Sequence, residues 1–298
     1  MAGDHDHSAA AAHRGRLAAV FAITLAVLVV EVVGAALSGS LALLADAGHM
    51  LTDGAGIGLA LLAIRFAARP ATQQRTFGYY RLEILAAVIN AVLLFGVAGF
   101  VLVEAWRRLT DPPEVASGLM LAVAAVGLAA NAASMWLLRD GQRHSLNLRG
   151  AYLEVWGDLL GSVAVLAAAA VIAVTGFQAA DPIASVLIGV AILPRTWQLL
   201  RDAVDVLLEA TPKGIDMDEV RQHLVETPGV TEVHDLHAWT ITSGLPVLSA
   251  HVVLERGADA GKVLDGLGAC LAGHFDIEHS TFQLEQPEHR GHEGETHR

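Results

Sequence analysis

The chain has 298 residues, of which 54% are hydrophobic and only 17% charged, with a formal net charge of −12 at pH 7. Soluble domains carry about 25% charged residues, so this balance and a mean hydropathy of +0.49 argue against a wholly soluble protein. The acidic sign argues against nucleic acid or anionic lipid as a partner, and a single cysteine, Cys270, excludes an intramolecular disulfide.

The N-terminus carries Asp4, His5, Asp6, His7 and His13. It lacks the basic start and cleavage site of a signal peptide. Residues 1–16 are expected to form a disordered, His-bearing tail, either a loose metal collector or a solvated tail without function. From residue 17 onward, six stretches supply the roughly 20 apolar residues that a helix needs to cross a bilayer: 17–37, 41–64, 83–106, 117–138, 150–175 and 182–200. Turn chemistry separates several of them, at Ser38-Gly39-Ser40, at Asp111-Pro112-Pro113, and at Gly176 ahead of Asp181-Pro182. Small residues inside the spans (Gly54, Gly56, Gly58, Ala167 to Ala170) permit close helix contact in lipid.

Positive charge sets the expected orientation. Arg14 and Arg16 precede span one. Arg65, Arg69, Arg75 and Arg81 follow span two, Arg139, Arg143 and Arg149 follow span four, and Arg195 and Arg201 flank the end of span six. The loops 38–40 and 176–180 have none, and Arg107 and Arg108 are the exception. Both termini are therefore expected in the cytoplasm.

Composition changes near residue 211. Residues 1–211 hold 13 Arg and 16 Asp/Glu, whereas 212–298 hold 6 Lys/Arg and 15 Asp/Glu. The second part reads as a helix (213–227), two alternating strands (230–242 and 247–254), a helix (262–271) and a short strand (281–284). The expected architecture is thus an α-helical membrane protein: a six-transmembrane-helix bundle over 17–210, and a small α+β cytoplasmic domain over 211–287 of α-β-β-α-β order, metallochaperone-like. Residues 288–298, with His289, His292 and His297, read as a second disordered tail.

Ionisable residues within the spans carry the chemistry. An aspartate at mid-membrane costs at least about 2.5 kcal/mol on insertion scales, so each one needs a purpose. Span two contains Asp46, His49 and Asp53, span five Glu154 and Asp158, and span one Glu31. His49 and Asp53 are four apart, as are Glu154 and Asp158, so each pair lies on one helical face. Opposed, the two faces supply one imidazole and three carboxylates, a tetrahedral set for Zn²⁺ or a similar ion. The alternatives are a hydrogen-bonded cluster that locks the bundle, and a proton relay. Three carboxylates together repel unless a cation or proton neutralises them. Asp46, roughly 60° around the helix from His49, reads as a supporting or packing residue. Glu31 has no spaced partner.

Four runs resemble the cation diffusion facilitator family of metal/proton antiporters: Ser40-Leu41-Ala42-Leu43-Leu44-Ala45-Asp46-Ala47-Gly48-His49-Met50-Leu51-Thr52-Asp53, Thr76-Phe77-Gly78-Tyr79-Tyr80-Arg81-Leu82-Glu83-Ile84-Leu85-Ala86-Ala87, Ser145-Leu146-Asn147-Leu148-Arg149-Gly150-Ala151 and His234-Asp235-Leu236-His237-Ala238-Trp239. The resemblance extends over about 17–287. In the zinc-type branch, spans two and five each carry His-x-x-x-Asp. The resemblance implies that His49, Asp53 and Asp158 are ligands, and Glu154 by position, with Glu where His is usual. A carboxylate there favours Mn²⁺, Co²⁺ or Fe²⁺ somewhat relative to Zn²⁺. It further implies a homodimer whose cytoplasmic domains bind metal, with His237, His251, His279 and Glu285 at the matching positions; the alternative for any one histidine is a plain surface residue. Only His144 lies in the loop where the family is usually His-rich.

The expectation is a secondary transporter in the cell inner membrane. It exports a divalent cation, zinc first and cobalt, cadmium, manganese or iron as alternatives, in exchange for protons. A metal-sensing membrane receptor that binds without transport is the alternative. No enzyme is expected, since the His-Glu-x-x-His of an intramembrane metalloprotease does not occur. Metal ion, protons, the lipid bilayer and a second copy of the chain are the expected partners.

Overall fold

The computed structural model describes residues 4–67, 69–139, 146–242 and 244–289; side chains of 4–17, 53, 55–61, 63, 64, 67 and 146–150 are outside that description. The helices are α1 (Asp4–Ser38), α2 (Leu41–Ala67), α3 (Leu82–Thr110), α4 (Ser117–Leu138), α5 (Leu146–Thr175), α6 (Ala180–Leu207), α7 (Met217–Val225) and α8 (Ala260–Phe275). The strands are β1 (Val230–Thr240), β2 (Pro246–Leu254) and β3 (His279–Glu285). A helix stands at each of the six expected apolar stretches. Among the described residues, five are long and apolar enough to cross a membrane, and α2 adds the apolar stretch Leu41–Thr52. One expectation is revised. α1 begins at Asp4, so residues 4–16 are helical where a disordered tail was expected. The alanines at 9–12 are the strongest helix formers, and the helix nucleus already exists in the apolar span behind them. Residues 290–298 of the expected second tail and His144 lie outside the described residues.

The chain divides into two compact units, Met1–Leu59 with Ile89–Leu199, and Ala60–Val88 with Leu200–Arg298. In the first unit the core is built from small side chains, among them Ala35, Ala42, Ala45, Ala124, Ala168, Ala169 and Ala184. Large apolar residues such as Leu37, Trp106, Val174 and Leu187 point outward, as expected of a surface solvated by lipid rather than water. Helices approach closely. A Cβ added at Gly34 on α1 would meet Val123 of α4 at 2.7 Å.

The end of the bundle at the α1–α2 turn is stapled by a single carboxylate. Gly39, at φ +75°, lets the chain reverse between Ser38 and Ser40. Asp181 of α6, fully buried, then accepts bonds from the Ser40 hydroxyl (2.6 Å) and from the backbone N–H groups of Leu41 (2.8 Å) and Ala42 (3.1 Å). A residue some 140 positions away thereby satisfies the orphan donors at the start of α2. The Arg108 guanidinium lies 4.0 Å from the same carboxylate and donates to the Gly39 carbonyl.

In the second unit the expected α-β-β-α-β order is present. The sheet order is β1-β2-β3, with β1 antiparallel and β3 parallel to β2. α7 is capped by Asp216 and α8 by Asp259, each accepting from two backbone N–H groups. One sheet face, with Val233, Leu248, Ala250, Val252 and Leu254, packs on Val220, Leu224, Val263, Leu267 and Leu271 of the two helices. Since strand side chains alternate, the residues between these project from the other face.

Candidate metal sites

In the first unit, α2 and α5 bring His49 and Asp158 together, with His49 Nε2 4.0 Å from Asp158 Oδ1 and both largely buried (side chains 15% and 5% exposed). Glu154, half-buried, stands one turn before Asp158 on α5. Asp53 follows His49 by one turn on α2, and its side chain lies outside the described residues. The imidazole and carboxylate that face each other come from the two helices that the paired spacing singled out.

The remaining buried charges of the bundle pack just behind. The carboxylates of Glu31 and Asp46, each 1% exposed, lie beside one another. Their carboxylates sit over glycines: a Cβ added at Gly127 would meet Glu31 Oε1 at 2.9 Å, and one at Gly161 would meet Asp46 Oδ1 at 2.5 Å. Asn131 of α4 donates to Ser162 Oγ of α5 at 3.2 Å beside them. Asp46 thus packs against α5, and Glu31, without a partner in the linear sequence, finds one in space.

In the second unit, His234, His251 and Glu285 offer ligand atoms all within 4.8 Å of one another. His251 Nδ1 is 3.0 Å from Glu285 Oε1 and His234 Nε2 is 3.6 Å from Glu285 Oε2, with the two rings 5.2 Å apart. The strands explain this. His234 on β1 is in register with His251 on β2, and Glu285 lies at the end of β3, opposite Val253. All three project from the face away from the helices. The spacings, 3.0 and 3.6 Å to the carboxylate and none above 4.8 Å, bracket the roughly 3.3 Å between tetrahedral ligands at Zn–N and Zn–O distances of about 2 Å, so small side-chain rotations fit them to an ion.

Of the four residues expected here, His251 and Glu285 meet. His237 stands one step back, with Nε2 2.9 Å from Asp235 Oδ1, while Asp235 Oδ2 lies 3.7 Å from His251. His279 is not brought to the cluster. It opens β3, six residues and roughly 20 Å from Glu285, and its ring meets Phe77 edge-on at 5.6 Å. His234 takes the place that the sequence reading gave to His237. A register shift in β1 between His234 and His237, with Asp235 at φ +46°, decides which histidine pairs with His251.

The profile for the cation efflux transmembrane domain matches residues 17–208, and that for the cation efflux protein cytoplasmic domain matches 212–287. The metal cation efflux system protein CzcD of Cupriavidus metallidurans is 49% identical over 286 residues, 96% of this chain and 90% of that protein. The zinc transporter ZitB of Escherichia coli is 44% identical over 294 residues, 96% and 94% of the two chains. A Bacillus subtilis protein named cadmium, cobalt and zinc/H(+)-K(+) antiporter is 38% identical over 290 residues, 96% and 93%. A solved metal-bound C-terminal domain of the Cupriavidus CzcD transporter is 43% identical, over 24% of this chain and 99% of that one, with a TM-score of 0.23.

Proposed function

The chain belongs to the cation efflux family, the cation diffusion facilitators, and from that premise we propose that it exports a divalent metal cation from the cytoplasm in exchange for protons, with zinc the first candidate. The observation that carries this reading is the His49–Asp158 approach across α2 and α5 inside apolar helices. A buried imidazole and carboxylate facing each other at membrane depth are expensive unless a cation or proton passes between them. With Asp53 and Glu154 on the same two faces, the empty site holds three carboxylates. A divalent ion offsets two of the three charges, so release on the far side is matched by proton uptake at these carboxylates and at His49. The helices then rock back with protons bound. The name of the Bacillus relative, an H(+)-K(+) antiporter, supports exchange and adds K⁺ as a counter-ion to test.

The protein sits in the inner membrane with both termini in the cytoplasm, as a homodimer joined through the C-terminal domain. The cluster of His234, His251 and Glu285 binds cytoplasmic metal and biases one arrangement of the dimer. Flux in proteoliposomes tests the reading. Zn²⁺, Co²⁺, Cd²⁺ and Mn²⁺ are offered singly, with an internal pH dye and with or without a K⁺ gradient. Metal movement coupled to opposite proton movement is expected. Binding without flux would instead identify a sensing receptor.

A further inference from the structure

β1 and β2 are in register at His234–His251 and again at His237–Ser249, so β1 advances three residues where β2 advances two. One residue of β1 is therefore inserted, as a β-bulge. Leu236 packs on the core that faces the helices, the place that alternation gives to the residue before His237. The inserted residue is Asp235, and its backbone lies in the left-handed region at φ +46°. Aspartate is one of the few residues with a side chain that adopt this region readily.

The bulge decides where this carboxylate goes. In an unbroken strand the residue after His234 would project from the opposite face, toward the helices. Both Asp235 oxygens lie on the histidine face instead. Oδ1 is 2.9 Å from His237 Nε2, and Oδ2 is 3.7 Å from His251 Nε2. The other nitrogen of His251, Nδ1, is 3.0 Å from Glu285 Oε1. His251 therefore stands between two carboxylates, one on each nitrogen of its ring. Glu285 belongs with His234 and His251 to the group whose ligand atoms all lie within 4.8 Å of one another, and Asp235 stands outside that group.

A neutral histidine that ligates through one ring nitrogen carries its hydrogen on the other. Metal-bound histidines almost always donate that hydrogen to a carboxylate, a carbonyl or water, and the partner fixes the orientation of the ring. We infer that Asp235 is the positioning residue of the cytoplasmic metal site: its carboxylate holds His251 by Nε2, so that Nδ1 faces the ion shared with His234 and Glu285. At 3.7 Å the contact is longer than a hydrogen bond, and it closes as His251 settles on the ion. His237 holds the same carboxylate from its other oxygen, and so supports the site without touching the ion. The inference rests on the reading of His234, His251 and Glu285 as a metal site. The competing role for Asp235 is only to tolerate the backbone of the bulge, and glycine fills that role as well, since it adopts positive φ without steric cost.

The two roles separate in one pair of measurements. Zn²⁺ affinity of the full-length protein in detergent is read by competition with a chromogenic chelator, in an Asp158→Ala background that weakens the transport site. Thermal unfolding of the metal-free protein is read alongside. The binding lost in His251→Ala is the binding that belongs to this site. Asp235→Gly keeps the bulge and removes the carboxylate. Its metal-free unfolding should match that of the parent, and its affinity at this site should fall by about 10–100-fold, the usual loss when the outer partner of a ligating histidine is removed. Asp235→Asn keeps one acceptor oxygen and should fall between the two. An unchanged affinity in Asp235→Gly, or a loss matched by lower metal-free stability, overturns the inference. If the parent shows no binding that depends on His251, the metal site itself is refuted and the role of Asp235 with it.

Discussion

Glu154 is the residue at which this chain departs from the His-x-x-x-Asp pattern that the family resemblance implies for a zinc-type site. A carboxylate one turn from Asp158 adds a negative charge that a neutral imidazole lacks, which strengthens a hard cation relative to Zn²⁺. Glu154→His should raise the Zn²⁺ preference over Mn²⁺ and Co²⁺ by about tenfold, corresponding to about 1.4 kcal/mol. Competition flux in liposomes measures it, and an unchanged ranking would mean that Glu154 stands outside the site. Asp158→Ala should abolish flux while leaving the protein inserted. The glycines behind the site offer a steric test. Gly161→Ala would place a Cβ 2.5 Å from Asp46 Oδ1, against a residue 1% exposed with Glu31 beyond it. Overpacking of this kind costs about 1–3 kcal/mol. Thermal unfolding in detergent should show that loss for Gly161→Ala and none for Gly99→Ala on α3, where a Cβ would meet nothing within 4 Å.

Among the elements, α2 depends most on a distant residue. Its first two N–H groups and the Ser40 hydroxyl end on the Asp181 carboxylate of α6. Removing the acceptor strands three buried donors, each at about 1–3 kcal/mol. Asp181→Ala should therefore destabilise the bundle by several kcal/mol. Asp181→Asn keeps one acceptor oxygen and should fall between Ala and wild type in the same unfolding measurement. Equal stability of all three would show that Asp181 does not hold the start of α2. Because His49 lies on that helix, two turns in, loosening its start should also lower metal flux. The sheet shows the converse dependence. Within the sheet β3 pairs with β2, and this parallel pairing sets Glu285 beside Val253 and within reach of His251.

At the scale of the molecule, the C-terminal part carries its own core, from Val220 on α7 to Ile277 before β3. Residues 211–287 expressed alone should be soluble, dimerise and bind zinc. At free zinc of 100 times Kd, binding adds about 2.7 kcal/mol of stability. A chelator should remove this, and His251→Ala or Glu285→Gln should make the domain insensitive to the chelator. Calorimetry without binding at micromolar affinity would remove the regulatory site and leave the transport proposal standing. Orientation is testable on the intact chain. The arginines at 65, 69, 75 and 81 and at 139, 143 and 149 favour cytoplasmic loops, so a reporter at the C-terminus should be active only in the cytoplasm.

Hydropathy and helical spacing are local properties. For this reason the local pattern was enough to show where six helices lie, that His49 and Asp53 are spaced to share one helical face as are Glu154 and Asp158, and that an α-β-β-α-β domain follows. Those inferences need only a period of 3.6 or 2 and the penalty for charge in lipid. The rest depended on packing between residues far apart in the chain. A one-residue shift in a strand moves a side chain to the other face, so only the β1–β2 register could select His234 over His237. His279 shares β3 with Glu285, and only the direction and length of that strand separate them. Glu31 meets Asp46 because Gly127 and Gly161 leave room for both carboxylates. Asp181 reaches the start of α2 because α6 begins beside the turn that Gly39 allows. The tertiary structure decided these contacts because each is a property of two or more elements at once, and none has a signature within either one.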